Sequence, residues 1–140
     1  MRAEICRRCN AVEECYAFML AYAARGVSSG DGRQSGKIRE VLQQAVDALS
    51  GLADACVAAV NADAVESAAK SVAFLAVLDR DADDTIRTIE LVLAQPAISS
   101  QLIDNLNASM HLRAVLTDLF LLSDIVTIAR KSPAASAVAA

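Results

Sequence analysis

A chain of 140 residues is the size of one domain, long enough for a real hydrophobic core but not for two. It is 55% apolar, with about one residue in five alanine and only 4% aromatic, a balance that favours helices over strands. The net charge of −4, with basic residues paired only at Arg7-Arg8 and Arg130-Lys131, excludes a nucleic-acid binder of the usual basic-stripe kind.

A mean hydropathy of +0.38 raises the membrane question. A spanning helix needs about 20 apolar residues in a row. The longest stretch without a charge, Leu91 to Ile103, is shorter and holds Pro96, Ser99, Ser100 and two glutamines, so no membrane span is expected. The opening residues Met-Arg-Ala-Glu-Ile-Cys carry no apolar export signal. The four cysteines are therefore expected as reduced thiols, which points to the cytoplasm.

In chain order, the spacing predicts a first helix from Ala3 to Arg25. Its apolar seam is Ile5, Cys9, Val12, Tyr16, Met19 and Ala23, and Gly26 is its C-cap. A glycine-rich loop is expected from Val27 to Gly36. The second helix, Ser35 to Val60, has an unbroken seam of Ile38, Leu42, Ala45, Leu49, Leu52, Cys56 and Ala59. Asp63 and Glu66 have capping-box spacing and open a third helix through Val65, Ala69, Val72, Leu75 and Leu78.

The polar run Asp79 to Asp84 is expected to interrupt that helix. A short helix follows through Ile86, Ile89 and Leu93, and Pro96 ends it. Ser99 or Ser100 is the N-cap of the last segment, which either runs unbroken to Lys131 or breaks near Asn105-Leu106-Asn107. From Leu112 to Ile128 it is apolar nearly all round, as in a central helix or an interface helix. The fold class is all-α: an antiparallel bundle of four to five helices with one core over residues 1–131, and a disordered tail over 132–140.

Two constellations could carry metal chemistry. Cys6 and Cys9 form a C-x-x-C, with Cys15, Cys56 and His111 elsewhere in the chain. On a continuous helix Cys6 and Cys15 point to opposite sides, so one ion cannot gather them. If the helix instead began at Asn10, Cys6 and Cys9 would lie in a turn able to hold a soft metal or act as a redox pair. No second close pair is present, and buried or half-exposed thiols are the preferred reading.

The other constellation is Asp79 to Glu90. Asp79, Asp81 and Asp83 fall at positions one, three and five of a twelve-residue loop, Ile86 at eight and Glu90 at twelve. The segment resembles the calcium loop of an EF-hand. That resemblance implies oxygen ligands from those acids, a backbone carbonyl from Thr85, and a bidentate Glu90. It departs at position six, where Asp84 stands in place of glycine, and no second such loop pairs with it: Asp31 to Leu42 has Arg33 and Leu42 where ligands are needed. Asp81, Asp83 and Asp84 read more simply as acids favoured at a helix N-terminus.

Gly32-Arg-Gln-Ser-Gly36-Lys37 fails as a phosphate loop, since its glycines are wrongly spaced and a helix precedes it. A single histidine, His111, excludes two-histidine metal motifs and di-iron bundles, and no nucleophile elbow is present. No cofactor is expected, and an enzyme assembled from scattered polar residues ranks third. The leading reading is a non-catalytic helical interaction module, an adaptor, assembly factor or regulatory subunit. It would be a homodimer, another homo-oligomer or the partner of a helical protein, through Tyr16, Met19, Tyr22, Phe120 and Ile125. The alternative is a metal-binding bundle, through Asp79, Asp81, Asp83 and Glu90 or through Cys6 and Cys9.

Overall fold

The computed structural model of the chain describes residues 2–26, 32–62 and 68–131. The described residues form six helices and no strand: α1 Arg2–Ala24, α2 Gly32–Leu49, α3 Leu52–Ala62, α4 Ala68–Leu93, α5 Ser100–Ala108 and α6 His111–Lys131. The fold is an all-α bundle, as composition and periodicity predict, with more helices than expected. The capping pair Asp63 and Glu66, residues 27–31 of the expected glycine loop, and the tail 132–140 lie outside the described residues, while Gly32 to Gly36, expected in that loop, belong to α2.

α1 packs on α2, α5, α6 and α3, while α4 packs on α6, α2 and α3. Their inward faces share one core that includes Val12, Met19, Ile38, Leu42, Leu52, Leu78, Ile89, Ile103 and Val115. The buried arc of α1 is Val12, Cys15, Met19 and Tyr22, rotated from the seam read in the sequence, so Tyr16 ends half-buried. Gly26 closes the helix at φ +68°, in the left-handed region where glycine avoids a Cβ penalty.

The second predicted helix is two. It stops at Leu49 and restarts at Leu52, with Gly51 at φ +78° between them. The seam nevertheless survives the break: Ile38, Leu42, Ala45, Leu49, Leu52 and Cys56 are all buried. A short kink of this kind changes helix direction without taking the next apolar residue off the core, so periodicity alone does not reveal it.

The third and fourth predicted helices are one. α4 runs through Asp79 to Asp84 because its buried stripe does not stop there: Leu75, Leu78, Ala82, Thr85, Ile89 and Val92 follow each other at steps of three and four. The charges occupy the remaining faces, where Arg87 Nε meets Asp83 Oδ2 at 3.0 Å one turn away. Thr85 is tolerated in the core because its hydroxyl shares its proton between the carbonyls of Asp81, at 2.7 Å, and His111, at 3.0 Å. Val72, assigned to the seam, is instead 63% exposed.

α4 ends before Pro96 as expected, and Ser99 caps α5, its hydroxyl accepting from the Leu102 amide at 3.1 Å. The last segment breaks at Ser109-Met110, just beyond Asn105-Leu106-Asn107, where Met110 takes φ +69°. α6 is not a central helix. Leu112, Val115, Leu116 and Leu119 face the core, while Phe120, Leu121 and Ile125 are exposed.

Candidate functional site

The C-x-x-C lies within α1 and not in a turn before it, since the helix is continuous from Arg2. The residue between the thiols that matters structurally is Arg8. Its guanidinium donates to the carbonyls of Ala48 at 2.9 Å and Ser50 at 2.6 Å, closing the C-terminal end of α2, and Glu4 Oε1 steadies it at 2.9 Å. Cys6 is exposed and Cys9 half-buried, its thiol 3.5 Å from Glu13 Oε1, while Cys15 and Cys56 are in the core.

Burial pushes these thiols up: Cys9 to about 11, with Glu13 adding to the effect, Cys15 to about 12, and Cys56 to about 11 against the opposing charge of Arg8. Raised thiols are poor nucleophiles and poor metal ligands at neutral pH. Among the described residues, no group of three or more Cys, His, Asp or Glu side chains stands close enough to hold a metal ion.

The 79–90 segment is helix and not a loop, which corrects the expected interruption. A calcium loop wraps its ligands around one point, whereas a helix spreads them along a rod. Asp81 turns toward α6, Asp83 is engaged by Arg87, and Glu90 lies seven residues beyond Asp83, about 10 Å along the axis. The structure does not bring the four acids together.

Of the five expected interface residues, two are core. Met19 is 0% and Tyr22 1% exposed. The Tyr22 hydroxyl donates to the Ile98 carbonyl, and the Ser100 hydroxyl donates to the Tyr22 main-chain carbonyl at 2.7 Å, so side chain and backbone of this residue together tie α1 to the start of α5. Tyr16 packs half-buried against the core. Phe120 and Ile125 are exposed.

Part of the exposed apolar surface lies along the seam between α4 and α6. The two helices run antiparallel: Thr85 reaches His111, and one turn earlier on α4 Asp81 faces Asp118, further along α6. Continuing in that direction brings Val77, one turn before Asp81 on α4, to the level of Leu121 on α6, and Leu121 and Ile125 share one flank of α6. Val77 and Leu121 are each 50% exposed and Ile125 42%. Phe120 projects from the opposite flank of α6, away from this strip.

Beside the strip lies a carboxyl pair. Asp118 Oδ2 is shielded from solvent and has no hydrogen-bond donor among the described residues. Burial, reinforced by the Asp81 carboxyl across the seam, pushes Asp118 up to about 7. Neither Asp118 nor Val77 or Leu121 is among the site residues expected from the sequence. A signal for the first was present: Asp118 is an acid inside the apolar run from Leu112 to Ile128, one turn from Leu121 and Leu122.

The described residues also form open clefts, two of them sizeable. One, of about 660 Å³, lies between the end of α1 and the start of α5, lined by Leu20, Ala24, Gly26, Ser99, Asp104 and Asn107 among others. The second, of about 490 Å³, is formed by Leu91, Gln95, Pro96 and Leu102 with their neighbours and is mostly apolar. Neither gathers a nucleophile with a base. No described helix is long and apolar enough to cross a membrane. Comparison with protein-family models, with curated proteins and with solved structures finds no match to this chain.

Proposed function

We propose that this chain is a non-catalytic helical interaction module that pairs with a second copy of itself through the α4–α6 seam. The observation that carries the reading is the exposure of Val77, Leu121 and Ile125 on adjoining flanks of two packed helices. Exposed apolar side chains that adjoin one another, rather than standing singly, are the kind of surface that marks contact sites when it is contiguous. Charge favours a second copy meeting here. Each copy carries a net charge of −4, so two copies repel over most of their surfaces and approach most cheaply where the exposed side chains are uncharged. A two-fold contact uses one patch twice, which suits a short aliphatic strip, and it is the commonest oligomer symmetry. The reduced thiols buried at Cys15 and Cys56 support a cytoplasmic setting.

Sedimentation or light scattering over a micromolar concentration series tests the reading. The expected result is a dimer mass that falls to the monomer in Leu121→Glu, with the helical circular dichroism unchanged. A monomer mass for the unmodified chain at tens of micromolar overturns it.

A further inference from the structure

We infer that Asp81 and Asp118 form a pH-sensitive latch between α4 and α6, closed by one shared proton and strained open when both carboxyls are charged. The inference is independent of whether the neighbouring strip docks a second copy.

The geometry makes the case. Asp118 sits on the flank of α6 that meets α4, and its Oδ2 is out of solvent with nothing among the described residues to donate to it. Its neighbour across the seam is Asp81, within hydrogen-bonding reach. Two carboxylates are both acceptors, so neither can satisfy the other while both are ionised. A proton on either one converts the contact into an O–H···O⁻ hydrogen bond, among the stronger kinds. Losing it leaves two like charges at close range, one of them poorly hydrated.

Among the described residues, no other charge bears on Asp118. On α4, Asp84 lies one turn from Asp81 and is exposed, and Arg87 is taken by Asp83. On α6 the positions one turn from Asp118 are Ala114, Val115, Leu121 and Leu122, none of them charged, and His111 lies two turns before it. α1 and α5 also pack on α6, and among the described residues neither brings a charged group to bear on Asp118.

The sign follows from proton counting. Between the ordinary carboxyl value of 3.8 and about 7, the folded chain holds a proton that the unfolded chain has released. The latch therefore loses stability progressively as pH rises through that window. Its full contribution is present below it and gone above it.

Two measurements test the latch on the full chain. Carbon-13 titration of the aspartate carboxyls in the unmodified protein should show one with a midpoint well above the ordinary range, assigned by its disappearance in Asp118→Asn. Melting temperature followed from pH 4.5 to 8 should fall in the unmodified protein, and the fall should be flattened in both Asp118→Asn and Asp81→Asn. A native spectrum in which every aspartate carboxyl titrates in the ordinary range overturns the proposal even if the variants fail to fold. So does a melting profile whose slope is the same in all three proteins.

Discussion

Arg39, on α2, donates from Nη1 to the Leu93 carbonyl at 3.0 Å and from Nη2 to the Gln95 carbonyl at 2.7 Å, closing the C-terminal end of α4. Arg8 does the same for α2 through Ala48 and Ser50. Neither α2 nor α4 has a basic residue in its own last turn, so each takes its terminal cation from a neighbouring helix. Two contacts that look like caps are thus also tertiary ties, α1 to α2 and α2 to α4.

Arg39→Met is therefore expected to cost about 2 kcal/mol, since it keeps the aliphatic stem but removes charged donors from two terminal carbonyls. Arg39→Lys should recover part of this, because an ammonium supplies the charge without the two-pronged geometry. Urea denaturation of the two variants checks it. Equal loss in both would mean that the fork, and not the charge, holds α4.

Tyr22→Phe separates a core role from an interface role. The substitution preserves the ring and removes the hydroxyl that donates to the Ile98 carbonyl, in a site where Ile98 is itself buried. The expected loss is about 1–2 kcal/mol of stability, with no change in native mass at any concentration. A change in association with stability intact would return Tyr22 to the interface.

How far the chain could be read is clearest at particular residues. The helical class and the seam from Ile38 to Cys56 were legible because alanine-rich sequence and steps of three and four leave no other regular solution. The kink at Gly51 was not, since the seam stays in phase across it. The 79–84 run misled for the opposite reason: its charges are conspicuous, while Ala82 and Thr85, which carry the buried stripe through, are inconspicuous. Tyr22 and Met19 were placed outside because large apolar residues on a seam do not declare which side of it is covered. The seam of α4 and α6 depends on helices brought together from distant parts of the chain, which spacing within one helix does not encode.

The thiols should differ sharply in reactivity. The thiolate is the reacting form, and a thiol at about 11 exposes only on the order of one part in a thousand of it at pH 8. Cys9 and Cys56 are held at about 11 and Cys15 at about 12, whereas Cys6 is exposed on the helix surface. An aromatic disulfide reagent at pH 8 should titrate one thiol quickly in the native protein and four after denaturation. The fast phase should vanish in Cys6→Ser. Two fast thiols would show that Cys9 is more accessible than its contacts with Glu13 and the core allow.

Millimolar calcium is expected to leave the melting temperature unmoved, because Asp79, Asp81, Asp83 and Glu90 are spread along α4. Binding at a hundredfold excess over Kd would add about 2.7 kcal/mol to stability, which a thermal melt would readily detect. A calcium-dependent rise that disappears in Glu90→Gln would mean that the segment unwinds to take the ion.

The hinge between α5 and α6 carries its own prediction. Met110 has φ +69°, and its amide donates to the Asn107 carbonyl at 3.1 Å while its carbonyl accepts from Ala114 at 2.8 Å. It thus ends one helix and begins the next, in a left-handed conformation that costs a residue with a Cβ about 1–2 kcal/mol. Glycine adopts it freely but loses about 0.5–1 kcal/mol in chain entropy on folding. The side chain is 54% exposed, so removing it forfeits little burial. Met110→Gly should therefore stabilise slightly, by about 0.5 kcal/mol. Gly51→Ala is the converse: φ there is +78°, and an added Cβ would meet only Arg8 Nη2 at 3.9 Å, so its cost of about 1 kcal/mol comes from the backbone and not from a clash. Denaturation midpoints should move in opposite directions for the two variants. A lower midpoint in Met110→Gly would mean that the exposed half of the methionine is not idle, and that its contacts across the hinge outweigh the strain beneath it.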